Sequence, residues 1–315
     1  MTQQINQNKE EDRSLPIDLT RDFIIEKCEY FASVGIWPPK NIIDPESWLD
    51  NFNRSEQNHA IYLLNFFMYF SDIFINEIFL SSMRTLSRSV MKDQDDCTTL
   101  KRNWQYFIDN AVFTFITGEI PNPSDSGHLF TRKARALGIQ ERMIKTPEQV
   151  CEMLRNDLAS PIIIVDDFVG SGTQFLTTWN RQYGNPGRSL CELSPISKAQ
   201  FYLCPAFCTA RAIDEINAEC PKLKINAGHI ISNEYSVFAA DSIVWPNQLK
   251  NNATDFLESA SKRAGIPDTD GTAPNDWRGF NKLGLTIALA NSIPDATLPL
   301  FYWEENGWRP LMRRV

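Results

Sequence analysis

The chain has few of the residues that build metal sites and no excess of positive charge. Its 315 residues include only three histidines, and its seven cysteines contain no Cys-x-x-Cys pair, so the sequence predicts no zinc site. Cys204 and Cys208 lie in an apolar stretch and are interpreted as buried thiols, and the scattered cysteines fit a reducing, cytoplasmic compartment. The net charge of −8 gives no general attraction for nucleic acid or an anionic membrane, although the segment 309–314 is locally positive.

The chain also lacks an apolar run long enough to cross a bilayer, which needs about 18 residues or more. Its most apolar stretch, 60–80, is interrupted by the polar residues Asn65, Ser71, Asp72, Asn76 and Glu77. We therefore interpret 56–88 as a pair of core helices or one long core helix. Residues 1–13 are polar and charged, so we expect no signal peptide and a disordered tail over 1–20.

Helical patterns dominate before residue 110 and alternate with strand-like runs after it. From 111 to about 245 this alternation is typical of an α/β fold, a mostly parallel sheet with helices on both faces. We also predict strands at 284–290 and 298–303. The resulting division is a helical N-terminal region over 21–109 and an α/β domain over 110–315. The sequence leaves open whether the helical region is a separate domain or a lid on the same core.

The most informative segment, 161–174, reads Pro-Ile-Ile-Ile-Val-Asp-Asp-Phe-Val-Gly-Ser-Gly-Thr-Gln. Its apolar run predicts a buried strand with Asp166 and Asp167 at its end, followed by a small-residue loop and a helix over 173–183. The loop and the helix N-terminus offer backbone N–H groups to a phosphate, and the carboxylates can accept hydrogen bonds from ribose hydroxyls. The segment therefore predicts a site for a phosphorylated sugar.

Competing interpretations of this segment are weaker. No lysine follows Gly172, as a Walker A loop requires, and no third glycine completes a Gly-x-Gly-x-x-Gly dinucleotide fingerprint. The remaining alternative is an ordinary strand-to-helix turn in which the two acids cap the helix. Adjacent acids at the end of an isoleucine-rich strand are costly to desolvate, which favours a binding role.

The stretch 162–173 resembles the ribose-phosphate-binding signature of phosphoribosyltransferases, in which a hydrophobic run, two acids and two apolar residues precede a Thr/Ser/Gly loop. The resemblance implies that Asp166 and Asp167 are the catalytic pair, holding the ribose 2- and 3-hydroxyls and opposing the developing ribosyl cation. It implies a Mg²⁺ ion bridged to the protein through the substrate. The residues implied for the ribose phosphate are Val169, Gly170, Ser171, Gly172 and Thr173. Gly170 and Gln174 depart from the family pattern, and each change removes a side-chain hydroxyl while leaving the backbone donors.

A second segment, 123–128, follows the strand predicted at 111–117. In phosphoribosyltransferases the loop after an early strand holds pyrophosphate, and the resemblance implies this role for Ser126 and Gly127, with Arg132, or Arg135 one turn away, reaching the oxygens. The alternative is an Asp/Ser helix cap followed by solvated basic residues.

The C-terminal pattern, with Gly279-Phe280, the run 285–289 and the Trp-containing segments 298–303 and 308–311, is similar to phosphoribosyltransferase-like proteins of bacterial conflict systems. That similarity implies an anti-phage role and a protein partner from the same operon, such as a reverse transcriptase. Trp303 and Trp308 are also explained by packing of the C-terminal segments.

Three functions remain open from the sequence. The first is an enzyme that makes or breaks an N-glycosidic bond in phosphoribosyl pyrophosphate or a nucleotide. The second is a nucleotide-sensing module without chemistry, and the third is a partner-binding subunit. No residue is identified as the base that activates an acceptor.

Overall fold

In the computed structural model, residues 19–91, 96–118, 126–135, 139–156 and 159–314 are described. The α-helices are α1 (Arg21–Ser33), α2 (Pro45–Leu49), α3 (Gln57–Asn65), α4 (Asp72–Val90), α5 (Cys97–Asn110), α6 (Ser126–Arg135), α7 (Pro147–Arg155), α8 (Thr173–Asn180), α9 (Leu190–Leu193), α10 (Ala210–Glu219), α11 (Asn247–Lys250) and α12 (Ala253–Ala264). The strands are β1 (Met68–Phe70), β2 (Val112–Phe115), β3 (Ile162–Val169), β4 (Phe201–Thr209), β5 (Leu223–Ile225), β6 (His229–Ile231) and β7 (Ile287–Leu289).

The larger sheet is parallel. Its strands lie in the order β2-β3-β4-β5, and β6 continues the edge by pairing with the end of β4. Ile162 is aligned with Val112 on one side and with Phe201 on the other. Every residue of the edge strand β2 and of the central strand β4 is buried, as expected for strands covered on both faces. The predicted α/β class is confirmed.

Helices cover both faces of this sheet. On one face α4, α5 and α6 contribute Phe79, Phe107 and Phe130 to a buried cluster. On the other face α7 to α10 contribute a second cluster that includes Trp179 and Ile216. Parallel strands joined by helical crossovers bury their apolar runs in this way.

A third buried cluster joins the two ends of the chain. It combines side chains from α1–α3 with residues 237–312. The Trp48 indole stacks on Phe301 with ring centroids 5.3 Å apart, and Trp308 donates its indole N–H to the Leu300 carbonyl at 3.0 Å. Trp308 therefore packs the C-terminal segment as expected. Shared packing alone does not define a domain boundary, so the division at residue 110 stays a prediction.

Two local predictions were wrong, and a third held in one of its two forms. The segment 56–88 contains two helices, α3 and α4, and not one long helix, because the unpredicted strand β1 lies between them and pairs in parallel with β7. A strand was predicted at 298–303, but Pro299–Phe301 forms a 3-10 helix, whose first position suits proline because no N–H is needed there. β3 continues through Val169, so the two acids lie within the strand and not after it.

In the described part of the chain, no helix combines the length and apolarity that a membrane span requires.

Candidate functional site

The two adjacent acids of β3 have different environments. Asp166 is aligned with Pro205 of β4 and is only 2 % exposed, whereas Asp167 is half-buried. Successive side chains of a strand point to opposite sides, which accounts for the difference. The Asp167 N–H donates to Asp166 Oδ1 at 3.0 Å, and the Phe168 N–H donates to Asp167 Oδ1 at 2.8 Å. Asp167 is therefore the more accessible carboxylate at this edge of the sheet.

The loop after β3 turns directly into α8. Gly172 has φ +82° and forms the N-cap, and its carbonyl accepts the first helical hydrogen bond from the Leu176 N–H at 2.9 Å. Ser171 Oγ donates to Thr173 Oγ1 at 2.9 Å and accepts from the Thr173 N–H at 3.3 Å. Because glycine alone adopts positive φ without strain, the loop depends on Gly172 to present the helix N-terminus.

The neighbouring strand fixes this loop from one side. Thr209, at the end of β4, donates its hydroxyl to the Gly170 carbonyl at 2.5 Å and accepts the Ala212 N–H at 3.0 Å as the N-cap of α10. A Cβ on Gly172 would lie 3.1 Å from Ile216 Cγ1. The loop therefore packs between the end of β4 and α10.

A C-terminal segment, residues 269–296, covers the loop from the other side and is called the covering segment below. Leu283 and Ala296 lie 3.5 and 3.6 Å from the position that a Cβ on Gly170 would take. Asn281 donates its side-chain amide to Thr173 Oγ1 at 3.4 Å, and Arg211 of α10 donates to the Asn281 carbonyl at 2.7 Å. These contacts bring residues about 110 positions apart in sequence to the phosphate loop that the sequence predicts.

Asp276 holds the covering segment in shape. This carboxylate is fully buried and accepts the N–H groups of Thr269 at 2.7 Å and Gly271 at 3.0 Å, and the Arg278 guanidinium at 3.1 Å. Burial by itself would raise the pKa of Asp276, but the Arg278 side chain and the backbone donors outweigh burial and hold that pKa well below its usual value. The Asp276 carboxylate is therefore ionised and stabilises the conformation of the covering segment.

The second predicted segment meets the end of the adjacent strand. A Cβ on Gly127 would lie 2.7 Å from the Ile116 carbonyl oxygen, so the start of α6 rests directly on the chain that leaves β2. Ser126 is the first residue of α6, and Arg132 is exposed further along the same helix. Positions 123–125 lie outside the described residues.

Helix α8 also holds the chain next to that segment. The Thr117 N–H donates to Thr178 Oγ1 at 3.1 Å. Arg181 donates to Thr117 Oγ1 at 2.6 Å and to the Gly118 carbonyl at 2.7 Å. The helix that begins at the predicted phosphate loop therefore positions the chain leading to the predicted pyrophosphate loop.

A protein-family model named PRTase-CE matches residues 45–314. The chain belongs to this phosphoribosyltransferase-like family. No curated protein and no solved structure gives a significant match.

The PRTase-CE match spans every element described around the site, from β1 to the covering segment. The predicted ribose-phosphate residues, 166, 167 and 169–173, lie together at the end of β3, and Gly127 lies at the end of the adjacent β2. Their roles remain predictions. Sequence reasoning missed Thr209, Asn281 and Arg211. Thr209 precedes a helix as a cap residue does, but nothing in the sequence linked the other two to the loop.

The described residues contain no group of three or more His, Cys, Asp or Glu side chains placed to hold a metal ion. Burial raises the pKa of the Cys204 and Cys208 thiols to about 12, which agrees with their interpretation as buried thiols. For Mg²⁺, a site with so few carboxylates fits only an ion bound mainly through substrate and water oxygens. Asp167 is the accessible carboxylate that such an ion can approach.

Proposed function

We propose that this PRTase-CE protein binds phosphoribosyl pyrophosphate or a nucleotide at the end of β3 and makes or breaks its N-glycosidic bond. The observation that carries the proposal is the half-buried Asp167 followed by a positive-φ glycine that opens α8. A carboxylate suits the hydroxyls of a sugar and a helix N-terminus suits its phosphate, and Asp167 and Thr173 are separated by only five residues of sequence.

The two acids have separate roles in this proposal. Asp167 accepts hydrogen bonds from the ribose hydroxyls because its side chain is accessible. Asp166 is nearly inaccessible, so it acts on the sugar only through the negative charge of its carboxylate and not through direct contact. Both oppose the positive charge that develops on the sugar when the glycosidic bond breaks, as carboxylates do in glycoside cleavage.

The loop 170–173 supplies the phosphate contacts. Its backbone N–H groups and the positive end of α8 bind the 5-phosphate and fix the orientation of the sugar. Ser126 and Gly127, with Arg132, bind the leaving pyrophosphate. Mg²⁺, when bound, neutralises the leaving group.

The group that accepts the ribosyl unit is a nucleobase or water. Hydrolysis of a cellular nucleotide would give the protein a toxic effector activity, which fits the anti-phage role and the operon partner that the sequence resemblance implies. This role is part of the proposal.

The test is product analysis after incubation with Mg²⁺ and phosphoribosyl pyrophosphate, with and without nucleobases, and separately with nucleotides. We expect release of pyrophosphate or of free base from the wild-type protein and at least a hundredfold slower release from Asp167→Asn. Asp241→Asn, which alters an exposed carboxylate elsewhere, should match the wild type. If the wild-type protein binds these compounds but releases no product, the sensing module is favoured. If it neither binds them nor releases product, the proposal is refuted.

A further inference from the structure

The Arg211 side chain contacts Asn281, whose own side chain contacts the predicted phosphate loop. Arg278 is paired with Asp268, Asp270 and Asp276, and Lys282 is paired with Asp270 at 2.5 Å. Within the described ranges, Arg211 takes part in no ion pair, and its hydrogen bond goes to the Asn281 carbonyl. Of these three cations next to the covering segment, Arg211 is the one whose charge is not already neutralised.

The position of Arg211 within α10 also points to a role other than helix stability. It follows Ala210 in the first turn, directly after the Thr209 cap. A cation at a helix N-terminus interacts unfavourably with the helix dipole. An anion bound next to it would reverse this unfavourable interaction, since the first turns of α8 and α10 both favour negative charge.

Asn281 is the second group at this place. Its φ of +53° and the φ of +59° at Lys282 lie in the left-handed region, which costs a non-glycine residue free energy. The Asp276 hydrogen bonds hold the surrounding segment, and the Asn281 N–H donates to the Gly271 carbonyl at 2.8 Å. In this fixed backbone the Asn281 amide points to Thr173 Oγ1 in the first turn of α8.

We propose that Arg211 and Asn281 are side-chain ligands of the 5-phosphate, which complete a site whose loop lacks hydroxyls at positions 170 and 174. This inference rests on the proposed function. The phosphate occupies the N-terminus of α8, where the Arg211 guanidinium gives a charge-assisted hydrogen bond and the Asn281 amide a neutral one. Because Arg211 is already hydrogen-bonded to Asn281 and Asn281 to Thr173, binding requires no large rearrangement.

The test is calorimetric titration of the full chain with phosphoribosyl pyrophosphate plus Mg²⁺ and with ribose 5-phosphate. Arg211→Gln should raise Kd for both probes about tenfold or more, because one charge-assisted hydrogen bond is lost. Asn281→Gly should raise Kd about threefold to tenfold. Glycine accepts a φ of +53° without strain, and the carbonyl bound by Arg211 is retained, so this variant separates phosphate binding from support of the loop.

Lys282→Ala is the matched control, since it removes a positive charge from the same segment whose Nζ is already engaged by Asp270. Its Kd should stay within about twofold of the wild type, and Arg211→Lys should recover part of the loss. Unchanged affinity in Arg211→Gln and Asn281→Gly overturns the inference while the proposed function stands. Equal weakening in Arg211→Gln and Lys282→Ala also overturns it, because the loss of positive charge from this region would then explain the effect without a direct contact to the phosphate. Failure of the wild type to bind either probe refutes the proposed function itself.

Discussion

Replacement of Gly172 by alanine tests the conformation of the predicted phosphate loop. Gly172 has φ +82°, and an added Cβ would lie 3.1 Å from Ile216 Cγ1 and 3.4 Å from Ile216 Cδ1. An L-residue in the left-handed region costs about 1–2 kcal/mol. Ile216 is fully buried, so it cannot move aside freely, and the contact adds up to about 1 kcal/mol as overpacking.

A smaller contribution to the free energy of unfolding has the opposite sign. Alanine restricts the conformations of the unfolded chain, which stabilises the folded protein by about 0.4–1 kcal/mol. We therefore expect Gly172→Ala to lower the free energy of unfolding by about 1–2 kcal/mol. Gly35→Ala is a matched control because Gly35 has φ +74° with nothing within 4 Å of an added Cβ. The difference between the two variants isolates the contact with Ile216.

The assay is urea unfolding at 25 °C, which gives the midpoint and slope for each variant. Gly172→Ala should unfold at a lower urea concentration than Gly35→Ala, and both below the wild type. If Gly172→Ala is as stable as the wild type, the loop does not have the left-handed turn that opens α8. If the two variants are equally destabilised, the close approach to Ile216 is wrong.

Three further predictions concern the segments around the loop. Gly127→Ala should cost about 1–3 kcal/mol by pushing α6 off the Ile116 carbonyl; an unchanged urea midpoint would refute this contact. Arg181→Gln should cost about 1–3 kcal/mol through loss of its hydrogen bonds to Thr117 and Gly118, and an unchanged melting temperature would contradict it. The folded pKa of Asp276 is lowered, so its contribution is present above about pH 4 and is lost as pH falls through the folded pKa. Asp276→Asn should be less stable at pH 7 and lose stability less steeply in acid; parallel pH profiles would argue against this.

The parallel sheet and the turn from β3 into α8 could be predicted because their signals are local. The apolar run of β3 and the glycine turn occupy one short segment, and the φ of +82° at Gly172 favours glycine there. The pairing of β1 with β7 could not be predicted, since Met68 and Ile287 are far apart in sequence and β1 lies in a run that reads as helical. The pairing of β1 with β7 depends on tertiary contacts, which override the local preference of this run for helix.

The candidate site was only partly predictable for the same reason. The sequence gives no reason to distinguish Asp166 from Asp167. In the folded strand, Asp166 is nearly inaccessible and Asp167 is half-buried. Asn281 reaches Thr173 across 108 positions of sequence. No local pattern marks such a contact, because it depends on how the C-terminal segment folds over the sheet edge.

Thermal unfolding of the wild type and Asp167→Asn with Mg²⁺ and phosphoribosyl pyrophosphate tests the central claim most directly. At 100 times its Kd the ligand adds about 2.7 kcal/mol, which raises the melting temperature of a chain of this size by about 5 °C. We predict this shift for the wild type and for Asp241→Asn, and little or no shift for Asp167→Asn. An equal shift in all three proteins would place the ligand elsewhere, and no shift in any of them, with ribose phosphates and nucleotides also tested, would contradict the account.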